Sequence, residues 1–382
     1  MANMKIILIS QNVSPGLIIF RKELIQTLSA QGYEVYCFAI DFTDATRDLV
    51  KNLGGIPVDY SLNRTGLNPL RDMRDTWALS RKLKHIKPDL MFSFFAKPVI
   101  YGSLAAKLAG VPKRVGMLEG LGFTFTEQPF PLPFKTKLIR WIQVQLYRLS
   151  VPLLDKIIFL NPDDPKDLLE KYGIKAKQME VLGAIGLDLT NYAFVQPDTS
   201  KHRFIFIGRL LAEKGINEYI GAARLVKQQY PDAEFVVLGG LDEGNPGGLR
   251  KAELEALIKE NIIVYPGHVD DVPRWIAEAS VFVLPSYYRE GVPRSTQEAM
   301  AIGRAVITTD VPGCKETVEH GVNGFIVPRW NAQALADKMI YLIENPTEIT
   351  RMGNESHRIA VDKFDANKVN QRLMEILELK TS

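Results

Sequence analysis

The chain has 382 residues, too many for one hydrophobic core, since single cores seldom grow past about 250 to 300 residues; two domains are expected. Its 46 % hydrophobic and 24 % charged content is ordinary for a soluble protein. The net charge of +3 divides unevenly: residues 1–190 carry 25 Lys and Arg against 18 Asp and Glu, residues 191–382 carry 22 against 26, and neither half has the charge density or aromatic spacing of a nucleic-acid binder.

Apolar runs that read as strands alternate with helical patterns from the start: Lys5–Ile9, a helix near Leu17–Ala30, Glu34–Ala39, then Asp89–Phe94 followed by Val99–Ala109. Lys113–Met117, Lys156–Leu160 and Gln178–Leu182 continue the series, which is the βαβ pattern of a parallel sheet covered on both faces. Met4–Ser10 is too short for a signal peptide. The longest apolar window, Leu90 to Val111, is broken by Lys97, Pro98 and Lys107, so any membrane contact is expected to be peripheral. The two cysteines, Cys37 and Cys314, make neither a metal cluster nor a disulfide framework, and a cytoplasmic location follows as the expectation.

Phe134 to Ser150 departs from the alternation. At 100° per residue Phe134, Leu138, Ile139, Trp141, Ile142, Leu146 and Leu149 share an arc, Lys137, Arg140 and Arg148 lie outside it, and no residue is acidic. This composition fits an interfacial helix on an anionic leaflet; it fits equally an amphipathic helix packed on its own sheet. The moderately basic first half suits an anionic membrane surface or acceptor, and chance imbalance accounts for it as well.

The pattern restarts after Gln196–His202, with strands expected at Phe204–Ile207, Glu234–Leu238, Ile262–Tyr265, Val281–Leu284 and Ala305–Thr308. The expected architecture is α/β: two doubly wound Rossmann-like domains, 1–195 and 196–365, facing across a cleft with ligands at the strands' carboxyl ends. Two segments carry candidate chemistry. In Arg203–Gly215 a strand leads through Gly208 to Arg209 and Lys214 at the mouth of a helix. In Tyr288–Glu298 the carboxylates of Glu290 and Glu298 flank Gly291, Val292 and Pro293, with Glu290 in the loop leaving a buried strand and Glu298 inside the next helix, whose N-terminus offers N–H groups to an anion. One carboxylate can accept hydroxyls of one ring while the other holds a second ring across a diphosphate. Taken singly, each pair is common by chance.

Together, Gly-Arg-x4-Lys-Gly, Gly267-His268-Val269, Glu-x7-Glu and Asn323-Gly324-Phe325 stand in the order of the retaining GT-B glycosyltransferases of family four, and the chain resembles that family over nearly its whole length. Lys97-Pro98-Val99-Ile100-Tyr101-Gly102 and Glu119-Gly120-Leu121-Gly122-Phe123 are similar to bacterial members that build surface polysaccharide on a lipid carrier. The resemblance implies a retaining transferase that moves a hexose or N-acetylhexosamine from a nucleotide-sugar, UDP-linked, to a lipid-diphosphate-linked sugar, with residues 366–382 packing back on the first domain. It implies that Arg209 and Lys214 face the donor diphosphate, Glu298 the ribose and Glu290 the donor sugar. Gly208, Gly291 and Val292 offer backbone to the donor, and His268 and Val269 lie near the base. The turn after the first strand keeps only Gly16 of the family's glycines, and Lys97 stands near where many relatives have a histidine. A lysine, with its ordinary pKa of about 10.4, is a poor base, which leaves Glu119 as a second candidate for the acceptor hydroxyl or, alternatively, a loop carboxylate paired with Arg114.

Asp-x-Asp occurs nowhere, and the five histidines lack metal-site spacing, so no metal or other cofactor is expected. The rival readings are a dinucleotide oxidoreductase, which lacks Gly-x-Gly-x-x-Gly after the first strand, a sugar-nucleotide epimerase or hydrolase on the same fold, and a non-catalytic adaptor docked on membranes.

Overall fold

The computed structural model describes residues 4–63 and 68–380. The chain divides into two compact units, one of residues 1–124, 132–186 and 366–382, the other of 125–131 and 187–365.

The first unit is built on seven parallel strands: β1 (Lys5–Ile9), β2 (Glu34–Ala39), β3 (Gly55–Asp59), β4 (Leu90–Phe94), β5 (Lys113–Leu118), β6 (Lys156–Phe159) and β7 (Met179–Val181), in the order β3-β2-β1-β4-β5-β6-β7. Strands buried on both faces must be apolar throughout, and Ile6 to Ile9 and Leu90 to Phe92 are wholly buried. Helices α1 (Lys22–Ala30), α2 (Asp44–Asn52), α3 (Pro69–Ile86), α4 (Ala96–Ala109) and α5 (Phe134–Ser150) connect them. Strand order runs one way from β1 to β3 and the other way from β4 onward. Right-handed crossovers therefore place α1 and α2 on one face and α3, α4 and α5 on the other. The sequence reading passed over β3, which contains Pro57; it is an edge strand, where a missing N–H costs no ladder bond.

The second unit holds five parallel strands, β8 (Arg203–Ile207), β9 (Glu234–Leu238), β10 (Val281–Leu284), β11 (Ala305–Thr309) and β12 (Gly324–Val327), in the order β12-β11-β10-β8-β9. Its helices are α6 (Ile216–Gln229), α7 (Lys251–Lys259), α8 (Val272–Ala277), α9 (Arg294–Ile302), α10 (Ala332–Glu344) and α11 (Pro346–Lys363). Ile262–Tyr265, expected as a strand, contributes only a single bridge between Val264 and Val236; Ile263 is buried, but no ladder forms. At the other edge β12 begins at Gly324, where a Cβ would lie 1.8 Å from the Val306 carbonyl oxygen. A final helix, α12 (Ala366–Ile376), belongs to the first unit: Lys113 Nζ donates to the Leu377 carbonyl at 2.7 Å and Lys156 Nζ to that of Ile376 at 2.7 Å. Among the described residues no helix is long and apolar enough to cross a membrane.

Candidate active site

In the second unit the carboxyl ends of β8 and β10 set the geometry. The chain leaves β8 through Gly208, whose N–H donates to the Leu238 carbonyl at 3.0 Å, and Arg209 follows, exposed, its Nη1 3.4 Å from Asp242 Oδ2. A short helical turn, Ala212–Lys214, ends at Gly215 with φ 83°, and a Cβ there would lie 2.2 Å from the Pro285 carbonyl oxygen. Only glycine lets this turn lie against the chain leaving β10. The consequence is chemical: Lys214 Nζ lies 2.6 Å from Glu290 Oε1, and both side chains are largely buried.

Glu290 has a second partner, Ser286, whose hydroxyl donates to Oε1 at 3.0 Å. The Lys214 ammonium also sits 5.3 Å from the centre of the Tyr288 ring. The loop is fixed from both sides. The Arg289 N–H donates to Thr126 Oγ1 at 3.1 Å, and Gly313 packs so closely that a Cβ on it would lie 2.6 Å from the Glu290 carbonyl oxygen. Helix α9 then starts after Pro293, pinned to the end of β8 by Ser295 Oγ, which donates to the Ile207 carbonyl at 3.0 Å.

Glu298 lies one turn into α9. Its Oε1 accepts from Arg294 Nε and from the Tyr192 hydroxyl, each at 2.9 Å. Burial pushes its carboxyl up from the ordinary range, with the Arg294 charge and the Tyr192 and Arg294 hydrogen bonds opposing. Sequence reasoning missed Ser286, Tyr192 and Arg294; of these only Arg294 had a local signal, its i,i+4 spacing to Glu298. His268 stands exposed after Gly267 with Nε2 3.5 Å from Asp270 Oδ1, and Val269 follows, half-buried. Val292 is buried beside Gly291. Thus Lys214, on the turn after β8, is joined to Glu290, on the loop after β10; Glu298 lies in the helix that this loop enters, held by Arg294 and Tyr192; Gly208 and Arg209 leave β8, and His268 and Val269 occupy a separate loop of the same unit.

In the first unit Gly16 is buried after β1, where a Cβ would lie 1.9 Å from Ser10 Oγ. Lys97, at the start of α4, does not project into solvent: Nζ donates to the Asn63 carbonyl at 2.8 Å and lies 3.7 Å from Asp72 Oδ1. Burial lowers its pKa, against the opposing pull of Asp72. Glu119 leaves β5 and pairs with Arg21, both side chains buried. The alternative pairing with Arg114 is not the one observed. Five residues of near-extended chain separate the two by roughly 16 Å, and Arg114 instead lies 3.5 Å from Asp155 Oδ2. Burial raises the Glu119 pKa and the Arg21 charge opposes it; the Arg21 guanidinium also lies 4.5 Å from the centre of the Phe94 ring.

Two parallel doubly wound sheets, each with its helices, form the fold of the GT-B glycosyltransferases. Residues 5–152 match the family described as glycosyl transferase 4-like and residues 191–358 the glycosyl transferases group 1; the chain belongs to the family-four GT-B glycosyltransferases. It is 29 % identical over 372 residues, 94 % of each chain, to the N,N'-diacetylbacillosaminyl-diphospho-undecaprenol alpha-1,3-N-acetylgalactosaminyltransferase of Campylobacter jejuni. To the Escherichia coli UDP-Gal:alpha-D-GlcNAc-diphosphoundecaprenol alpha-1,3-galactosyltransferase it is 25 % identical over 68 % of this chain and 67 % of that one. Its fold is similar to that of HepE of Anabaena, solved in complex with UDP, at a TM-score of 0.76 and 21 % identity over 98 % of this chain and all of that one.

Proposed function

We propose that the chain transfers a hexose or N-acetylhexosamine from a UDP-linked sugar to a hydroxyl of a polyprenyl-diphosphate-linked sugar, with retention at the anomeric carbon. The observation that carries the reading is the Lys214–Glu290 pair at the strand ends of the second unit, with Glu298 in the helix that follows, in a chain that matches a lipid-diphosphate-linked sugar transferase along 94 % of its length. Arg209 and Lys214 meet the charge that grows on the departing diphosphate, aided by N–H groups at the start of α9. Glu298 accepts from ribose hydroxyls, and His268 and Val269 lie toward the base. Glu290, with the N–H groups of Gly291 and Val292, holds the donor sugar. The acceptor hydroxyl attacks the anomeric carbon on the face from which the diphosphate leaves, the glycosidic C–O bond breaks, and a phosphate oxygen takes the hydroxyl proton. In the first unit Gly16 lets the turn after β1 lie close to the acceptor, Lys97 meets the acceptor diphosphate, and Glu119, held by Arg21, faces the acceptor hydroxyl. No cofactor takes part, and α5 rests on the anionic inner leaflet of the cytoplasmic membrane.

The test is transfer from UDP-, GDP- and ADP-sugars to a synthetic polyprenyl-diphosphate monosaccharide, with and without EDTA, the linkage read by proton NMR. An α-linked product from an α-linked UDP-sugar, formed in EDTA, is expected. A β-linked product overturns retention, loss of transfer on chelation overturns the charge role of Arg209 and Lys214, and donor turnover without acceptor favours an epimerase or hydrolase.

A further inference from the structure

Helix α3 sends its acids inward. Asp72 and Asp75 are buried, Asp72 Oδ2 accepting from the Tyr101 hydroxyl at 2.9 Å and Asp75 Oδ1 from the Ser61 hydroxyl at 2.7 Å. At 100° per residue the opposite side aligns Leu70, Met73 and Trp77 with Arg74, Arg81 and Lys84, a stripe that holds no carboxylate. Leu70 is 81 % exposed, Met73 69 % and Trp77 59 %. Among the described residues no carboxylate pairs with Arg74, Arg81, Lys82 or Lys84, and the Arg81 guanidinium lies 4.9 Å from the centre of the Trp77 ring. An open groove of about 560 Å³ runs beside them, lined by Val58, Trp77, Arg81, Lys82, His85 and Ile86. A helix on a protein surface ordinarily keeps its apolar stripe inward; here leucine, methionine and tryptophan stand among unpaired cations.

Helix α5 repeats the arrangement. Its apolar arc is only partly covered: Phe134, Leu138, Trp141 and Leu149 are exposed and Ile139, Ile142 and Leu146 half-buried, whereas Val144, Tyr147 and Ser150 are buried, and Arg140 turns in to donate from Nε to the Thr124 carbonyl at 2.5 Å. Trp141 lines a second groove with Lys137 and Arg148. Helix α4 packs on β4 and β5 and against both α3 and α5, so the two outward stripes belong to one helical layer.

We propose that the outer face of α3 is a second membrane-docking surface, resting with α5 on an anionic bilayer. Trp77 lies at headgroup level, Leu70 and Met73 reach the acyl boundary, and Arg74, Arg81 and Lys84 meet lipid phosphates. A soluble anion makes no use of the leucine and methionine; a protein interface would also accept the tryptophan, methionine and arginines, and the bilayer is favoured by the matching exposed apolar and basic face of α5 in the same helical layer. The inference rests on the membrane reading given for α5 and extends it from one helix to two, which fixes how the first unit is oriented on the lipid.

The experiment is cosedimentation of the full chain with phosphatidylcholine vesicles, with and without phosphatidylglycerol, at low salt. Arg74→Glu/Arg81→Glu/Lys84→Glu is compared with Lys137→Glu/Arg148→Glu, and circular dichroism checks that both fold. The α3 variant is expected to weaken partitioning onto phosphatidylglycerol at least about tenfold, and Arg74→Lys/Arg81→Lys to retain it. Binding at the wild-type level by the α3 variant, with loss in the α5 variant, overturns this inference and leaves the α5 reading standing. Wild-type binding in both variants, or no binding by the unaltered chain, overturns both.

Discussion

Lys214 Nζ and Glu290 Oε1 lie 2.6 Å apart, joining the turn after β8 to the loop after β10. The pair lies largely out of solvent, so neither partner is dispensable to the other: removing the lysine strands a carboxylate, and removing the carboxylate strands an ammonium. Lys214→Ala and Glu290→Ala are each expected to lower kcat/KM by roughly 10- to 150-fold, the equivalent of about 1.5 to 3 kcal/mol for a charged hydrogen bond. The double variant should fall well short of the product of the two losses, because both singles break one interaction. Independent, multiplicative losses in a steady-state kinetic cycle would disprove the coupling.

Glu298 is tied to Arg294 and Tyr192, away from the reacting bond in the proposed arrangement. Glu298→Ala should therefore weaken UDP binding about tenfold or more while turnover at saturating donor changes less. Isothermal titration with UDP beside kcat measurements decides it; unchanged affinity would remove Glu298 from the nucleotide site.

Arg304 is fully buried and faces carbonyls alone in its recorded contacts: Nη1 donates to Ala277 at 3.2 Å and Ala279 at 2.7 Å, and Nη2 to Val195 and Ile302. Burial lowers its pKa to about 10, which leaves it charged at neutral pH. Arg304→Met fills similar space but strands these acceptors, and a loss of about 3 kcal/mol is expected in urea unfolding. A midpoint shift too small for 1 kcal/mol would contradict this.

Glu378 lies beyond α12 with Oε2 2.6 Å from Lys113 Nζ and Oε1 3.4 Å from Lys156 Nζ. The Lys113 hydrogen bond, then its charge, hold the carboxyl below its ordinary 4.5. A depressed folded pKa means stability that is present above the unfolded value and lost as pH falls through the folded one. The difference in melting temperature between the wild type and Glu378→Gln should accordingly shrink from about pH 6 to about pH 3. A constant difference in calorimetry would show that the tie makes no pH-linked contribution.

The interior strands were legible because burial on both faces forces an unbroken apolar run, as in Val281–Leu284. The edges were not. Pro57 in β3 and Gly324 in β12 are atypical of interior strands, while Ile262–Tyr265 has strand composition without a partner ladder. In the candidate site, order and spacing marked Lys214, Glu290 and Glu298. Apart from Arg294, four positions from Glu298, the partners that matter come from far along the chain: the Tyr192 hydroxyl reaches Glu298 across 106 positions, and in the first unit Arg21 reaches Glu119 across 98.

The return of α12 to the first unit bears on how the chain is made. Residues 1–186 emerge from the ribosome long before residues 366–382, and the whole of the second sheet is synthesised in the interval. Lys156 is buried against the Ile376 carbonyl, so until the last residues appear its ammonium has no such acceptor and the flank beneath α12 stays uncovered. The nascent first unit is thus closed only after the second has been made, and fragments that stop at residue 186 or at 365 leave it open.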